Sequence, residues 1–324
     1  MDSEGIYVYG ARIIYAHLSA MQAEVEGVLC AKDIEHIHRM RVASRRLRSS
    51  LKIFKAAIPK KDYKLFNKDI RTVTKSLGAA RDLDVQLELL HELEPRFNDP
   101  RLKPGFSRLQ LRLRQQRQNA QSGVLLAMKT LEDDQTLRQI ARWAAAGLEE
   151  EIRHTTALYE LGSESIRSRL SEMVEYDQLV RNETKVAELH AMRIRAKHLR
   201  YTMEAFDELY GEQIKPFISQ LKKIQDLLGS IHDADVWLEM IPNFIQEEGQ
   251  RIEAYFGHTR PVRRLLPGLK AFADDRLRVR ADDYQGFIKL WDKSLESRIW
   301  EELTVLVQVP LPGDDRSVIK DLTT

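Results

Sequence analysis

The chain has 324 residues, 43% of them hydrophobic and 31% charged, which excludes a disordered or fibrous polypeptide and allows one large or two medium globular domains. Formal net charge is only +2, so any reading as a polyanion binder rests on where the charges sit and not on their sum. A single cysteine, Cys30, excludes an internal disulfide framework; it predicts a reducing, cytoplasmic setting, with Cys30 as a small buried apolar residue.

The first twenty residues, MDSEGIYVYGARIIYAHLSA, open acidic and are interrupted by Arg12. They lack the basic start, apolar block and cleavage site of a signal peptide. No apolar run approaches the roughly 20 residues that span a bilayer. From there the periodicity is helical, and helices are predicted near 6–31, 34–57, 61–93, 105–131, 135–159, 165–183, 186–210, 214–240 and 268–300. Prolines 59, 95, 100, 104, 216, 242, 261 and 267 are read as joints between them. The segment LTVLVQVPLPG at 303–313 is the one stretch that reads as extended.

The second predicted helix carries HRMRVASRRLRSSLKIF at 38–54. At about 100° per residue, His38, Arg41, Arg45, Arg48 and Lys52 share an arc of roughly 80°. Met40, Ala43, Leu47, Leu51, Phe54 and Ile58 gather on a separate arc, the face that packs. No acid interrupts 38–52. The third helix adds Lys68, Arg71 and Lys75 on one face and ends in LGAARDLDV at 77–85.

Both segments recur. HAMRIRAKHLRYTMEAF at 190–206 repeats the first, aligning His190, Arg193, Lys197 and Arg200 with His38, Arg41, Arg45 and Arg48. LGSIHDADV at 228–236 repeats the second, and the two offsets differ by one residue. Two matches in the same order predict a duplicated helical unit, with halves at 1–160 and 161–324. The second copy is poorer in cations. Glu204 stands opposite Lys52, His198 opposite Arg46 and Asp226 opposite Lys75, while Lys222, with Lys223 beside it, keeps the place of Arg71.

A row of like charges at i, i+3 and i+4 costs a few tenths of a kcal/mol per pair. A solvated face, or cations paired with carboxylates from elsewhere, is the purely structural account. A stripe repeated in register, each headed by a histidine, favours a ligand instead. Arginine forks and mobile lysines at one-turn intervals suit an anion with repeated charges, such as a chain of phosphates. Nucleic acid is disfavoured, because single-strand binders interleave aromatics for base stacking and only Tyr201 lies near either stripe. Gly78 and Gly229 are expected to allow close helix contact. Asp82 and Asp233 are open to three roles (metal ligand, catalytic carboxylate or salt-bridge partner), of which the last is favoured; Asp84 and Asp235 read as bridges or caps. No HExxH, cysteine cluster, glycine-rich phosphate loop or Ser/His/Asp signature is present.

These paired segments resemble the CHAD family, the conserved histidine α-helical domain, over about residues 10–300. The resemblance implies an all-α fold of two pseudo-symmetric four-helix bundles with a basic groove or pore between them. It implies non-enzymatic binding of inorganic polyphosphate, without metal or cofactor, in the cytoplasm and in association with polyphosphate granules. Carried onto this chain, the implied ligands are His38, Arg41, Arg45, Arg48, Lys52, Arg71 and Lys75, then His190, Arg193, Lys197, Arg200, Lys222 and Lys223. The segment DRLRVRADDYQGFIKLW resembles the family's last helix and adds Arg276 and Arg280. Two other classes compete: a metal-dependent phosphohydrolase, and a helical scaffold for acidic or phosphorylated partners.

Overall fold

In a computed structural model the described residues, 2–30 and 33–308, are helical with turns and short 3-10 segments, and no strand occurs among them. The helices are α1 (Asp2–Gln22), α2 (Val25–Cys30), α3 (Ile34–Ile53), α4 (Lys60–Leu93), α5 (Lys103–Asp133) and α6 (Thr136–Glu149). Then come α7 (Thr156–Val174), α8 (Val186–Ala205), α9 (Asp207–Tyr210), α10 (Lys215–Phe256), α11 (Leu266–Glu296) and α12 (Ile299–Leu306). The fold class is all-α, as the sequence predicts.

Local chemistry sets several ends. The Asp33 side chain accepts the backbone N–H of Glu35 at 2.9 Å and starts α3. Proline lies in the first turn of α5, α10 and α11, where its missing N–H costs nothing. Gly257 ends α10 in the left-handed conformation, φ +72°.

Several expectations change, among them the helix at 6–31, interrupted at 23–24, and that at 165–183, which ends at Val174. Pro242 lies inside α10 and is not a joint. An interior proline costs about 3 kcal/mol, and here Trp237, Ile241 and Phe244, all buried around it, keep the helix continuous. The helix expected at 135–159 is two, because residues 150–155 form a connection whose end, Thr155, caps α7 through Leu158 N–H. Residues 303–306 are helical: Trp300, Leu303 and Val307 are buried at i, i+3 and i+7, a helical face that overrides the strand-like alternation. The rest of that expected strand, 309–313, lies outside the described residues. Cys30 is exposed, because α2 is too short to turn in more than Val28.

The apolar arcs of α3 and α8 are both buried, from Met40 to Ile58 and from Met192 to Phe206. Their ends meet: the Phe54 and Phe206 rings are 5.7 Å apart, with Tyr9 of α1 against both. One continuous core takes residues from α1, α3 and α4 and equally from α7, α8, α10 and α11. A second core lies at the far ends of the long helices, where Leu90, Phe97 and Phe106 pack with Trp237, Phe244 and Phe272. Helix α3 packs on α4, α4 on α5, α5 on α11, α11 on α10, α10 on α8 and α8 on α3. Six helices therefore close on themselves.

The closure between α5 and α11 is reciprocal. A Cβ on Gly105 would overlap the Leu265 carbonyl oxygen, and one on Gly268 would overlap the Leu102 carbonyl oxygen. Leu102, Pro104 and Gly105 recur as Leu265, Pro267 and Gly268. Other contacts are paired in the same way. Arg117 of α5 bonds Asp84 of α4 at 2.6 Å, and Arg280 of α11 bonds Asp235 of α10 at 2.5 Å. Asp84 and Asp235 are thus the bridging acids that their position predicts.

Gly105→Ala or Gly268→Ala forces backbone apart where the two hairpins meet and is expected to destabilise the fold by about 1–3 kcal/mol in urea unfolding. Gly78→Ala, whose Cβ would meet nothing nearer than 3.6 Å, should cost no stability, since alanine is the better helix former.

Candidate functional site: a cationic cluster between two hairpins

Burial of the apolar arcs fixes the rotation of α3 and α8 about their axes. Their neighbouring faces, bearing Arg41 and Arg45 on one and Arg193 and Lys197 on the other, are thereby turned toward the flanks of α4 and α10. Each arginine nearest the middle has a carboxylate on its own hairpin partner. Arg41 Nη2 is 3.2 Å from Asp82 of α4, and Arg193 Nη2 is 4.0 Å from Asp233 of α10. Gly78 and Gly229 lie beneath these guanidiniums: a Cβ added at each would come within 3.6 and 3.9 Å of the respective Nε atoms. The expectation that these glycines serve helix–helix contact is therefore replaced: what lies over them is arginine, not another backbone.

The groups interact across the halves. Burial, then the fields of neighbouring cations, lower the basicity of Arg41 and Arg193, with Asp82 and Asp233 opposing the shift. Lys197 is pushed down to about 7 by burial first, then by Arg193, Arg45 and Arg41, with Asp233 opposing. The protein packed around Asp233 raises its carboxyl despite Arg193 and Lys197 nearby, and Asp82 adds to that rise, although the side chain itself keeps 56% exposure to the space between the helices. Four cations and two carboxylates thus share one partly desolvated space, and the charges do not cancel.

Several polar atoms here are buried without a hydrogen-bond partner: His38 Nδ1, and the Nε atoms of Arg48, Arg81 and Arg193. Leaving such a donor unmet costs about 1–3 kcal/mol. His36 faces away and bonds Glu24 at 2.7 Å, as its i, i+2 spacing from His38 requires. In the second copy His190 and His232 meet, Nδ1 to Nδ1 at 3.0 Å, so one ring must donate and the other accept. Burial, Arg193 and neighbouring positive charges lower both, His232 to about 4. Among the described residues no three of His, Cys, Asp or Glu are grouped to hold a metal ion.

The remaining predicted residues divide. Arg48 is close enough to Arg71 and Arg45 for each to lower its basicity, after burial, so the stripe continues along α3 and onto α4. Lys52, Arg71 and Lys75 are exposed on those helices, as are Lys222 and Lys223 on α10. Arg200 lies over the Tyr201 ring at 5.3 Å and 3.6 Å from Glu204, while Arg45 approaches the same ring at 5.6 Å. Arg276 and Arg280 are not part of this cluster. Arg276 is buried against Asp275 and the Phe272 ring, in the second core, and Arg280 bonds Asp235 and the Glu183 carbonyl. Protein acids already take up both guanidiniums. One residue the stripes do not announce is Arg81, near enough to Arg41 to depress it. Its signal was its place within LGAARDLDV, opposite His232 of the second copy.

The depressed Lys197 carries a stability signature. Its unfolded pKa is about 10.4, and in the fold it titrates at about 7. Between these the unfolded chain holds more protons, so stability rises with pH across that window. Urea unfolding at pH 6, 8 and 9.5 should show the wild type gaining on Lys197→Met as pH rises; a flat difference would mean a solvated lysine.

Comparison with known proteins identifies the family. The CHAD domain profile matches residues 12–242. Among solved structures, the CHAD domain from the plant Ricinus communis superposes with a TM-score of 0.59 at 24% identity, covering 86% of this chain and 91% of that one. PptA from Streptomyces chartreusis superposes with a TM-score of 0.63 at 17% identity, covering 89% of this chain and 99% of that one. No curated protein matches the sequence. With its profile match running from α1 into α10, through both cationic helices, this chain belongs to the CHAD domain family.

Proposed function

We propose that this protein binds inorganic polyphosphate, without hydrolysing it, in a groove where the α3 and α8 stripes face each other. The CHAD domain is associated with polyphosphate, and the observation that carries the reading here is the uncompensated cluster of Arg41, Arg45, Arg193 and Lys197. A fold that needed these cations only for stability would pair them fully. Instead, buried guanidinium N–H groups remain unmet beside a lysine forced toward neutrality. A chain of phosphates supplies repeated acceptors and repeated negative charge at once.

Roles follow from position. Arg41, Arg45 and Arg193 present forks to phosphate oxygens. Lys197 acts as a point charge that is restored when the anion arrives. His38 and His190 head the two stripes as hydrogen-bond donors. Asp82 and Asp233, 3.2 and 4.0 Å from Arg41 and Arg193, screen the two arginines from each other. Internal duplication, with a junction near residue 160, accounts for the paired contacts and brings two equivalent stripes to one axis. No helix among the described residues is long and apolar enough to cross a membrane. A cytoplasmic place on polyphosphate granules fits the proposed ligand.

Binding of long-chain polyphosphate should weaken steeply with salt, through counterion release. Arg41→Glu/Arg193→Glu should weaken it by about a hundredfold or more, as expected for truncating buried charge contacts worth about 1.5–3 kcal/mol each. Unchanged affinity in that variant sinks the site. Phosphate release during incubation with divalent metals would replace binding by hydrolysis as the function.

A proton balance tests the same reading independently. An anion beside Lys197 raises its pKa from about 7, so at pH 8 the complex takes up close to one proton. Calorimetry in buffers of different ionisation enthalpy should detect that uptake, and Lys197→Arg, always charged, should abolish it.

A further inference from the structure

The two stripes end differently. At the end of α3, Lys52 and Lys55 stand where the second copy has Glu204 and Asp207. Glu204 is fully engaged: it accepts from Arg46 at 3.1 Å and lies 3.6 Å from Arg200. That end of the second stripe is closed, by Arg200 of the same helix and by Arg46 reaching across from α3. The end of the first stripe is open.

What it opens onto is a cleft of about 570 Å³ between α3, α7 and α8. Arg45 and Arg48 line it from the stripe, Lys52 from the end of α3, Lys55 from the 3-10 turn that follows, and Arg169 from α7, against a single lining carboxylate, Glu164. Unlike the buried Arg276 and Arg280, Arg169 keeps its guanidinium on the open cleft, since Nη1 alone bonds both Glu172 oxygens, at 2.6 and 2.8 Å. His198 lines the wall with its Nδ1 buried and unpartnered. Burial lowers His198 to about 4, and the nearby Arg169 and Lys52 add to the shift, with Glu172 opposing. Arg45 belongs to both places, since it also acts on Arg193 and Lys197 in the central cluster.

Resting on the polyphosphate reading above, we propose that this cleft is the exit track for a long chain: phosphates beyond those held in the central cluster run out past Arg48 onto Lys52, Lys55, Arg169 and His198, and do so at this end only. The protein thereby selects for chain length and holds its ligand asymmetrically, although its two hairpins are alike. Compact anions occupy the centre alone. Long chains gain the cleft contacts as well, and since these are spaced along one helix and its neighbour they add only when the ligand is continuous.

The test converts the first end into a copy of the second. Lys52→Glu/Lys55→Asp changes two exposed side chains, and binding of tripolyphosphate and of long-chain polyphosphate is measured by calorimetry across a salt series. The long chain should lose about tenfold in affinity and its salt slope should fall by about 2, one for each cation removed, while tripolyphosphate is unaffected. Equal loss for both probes, or loss for neither, overturns the exit track. Arg41→Glu/Arg193→Glu run in parallel separates this from failure of the central site, because that variant should lose both probes. Amine acylation of the unaltered protein gives a second readout: long-chain polyphosphate should protect Lys52 and Lys55, and tripolyphosphate should leave them reactive. Labelling of Lys55 that is indifferent to the long chain would equally overturn the proposal.

Discussion

Arg41, Arg45, Arg193 and Lys197 are pressed into one space and only half answered by Asp82 and Asp233, and this mutual repulsion is the constraint around which the structure is arranged. Like charges a few ångströms apart in a partly dry setting repel far more than on a wet surface, because the effective dielectric falls. The fold offsets this with packing that lies away from the cluster. The apolar arcs of α3 and α8 are buried without a gap, Phe54, Phe206 and Tyr9 clamp the ends of those helices together, and a second core ties the far ends of the long hairpins. The cluster is held together from outside. A ligand that neutralises it relieves the repulsion the fold otherwise bears.

Acids are distributed accordingly. Asp84 and Asp235 are buried or nearly so and lock α4 to α5 and α10 to α11 through Arg117 and Arg280. Asp82 and Asp233, two residues earlier, remain 67% and 56% exposed as side chains, and each meets its arginine at the edge of bonding distance. Two carboxylates in one short motif therefore do opposite work. One pair builds the wall, and the other moderates the charge inside it. The spacing of two residues on a helix, about 200° of rotation, is what separates the roles.

The fold was largely legible in the sequence. The cationic stripes were legible because a 3.6-residue period places His38, Arg41, Arg45 and Arg48 on one side whatever else the chain does. Helix ends were less so. Pro242 reads as a break, and only the burial of Trp237, Ile241 and Phe244 shows why it is not one. Alternation at 303–307 suggests a strand until Trp300 and Trp291, with ring centroids 6.0 Å apart, show which face is buried. The third recurring segment, Leu102–Gly105 with Leu265–Gly268, was visible as two Pro-Gly steps but carried no meaning until the glycines were found against each other's hairpins.

The site divides along the same line. Local sequence determined which residues are cationic, which face they share, and that the pattern occurs twice. Tertiary structure decided which of those cations meet. Arg41 and Arg193, 152 positions apart in sequence, come to share one field, while Arg276 and Arg280, equally basic on paper, are bonded to Asp275, Asp235 and a backbone carbonyl. It also decided that the first stripe opens onto Arg169 and His198 of other helices while the second is shut by Glu204. The physical reason is range. A helix's periodicity is a property of neighbours within one or two turns, but whether a charge is free or paired depends on desolvation and on acids brought in by other helices, and no local pattern records those.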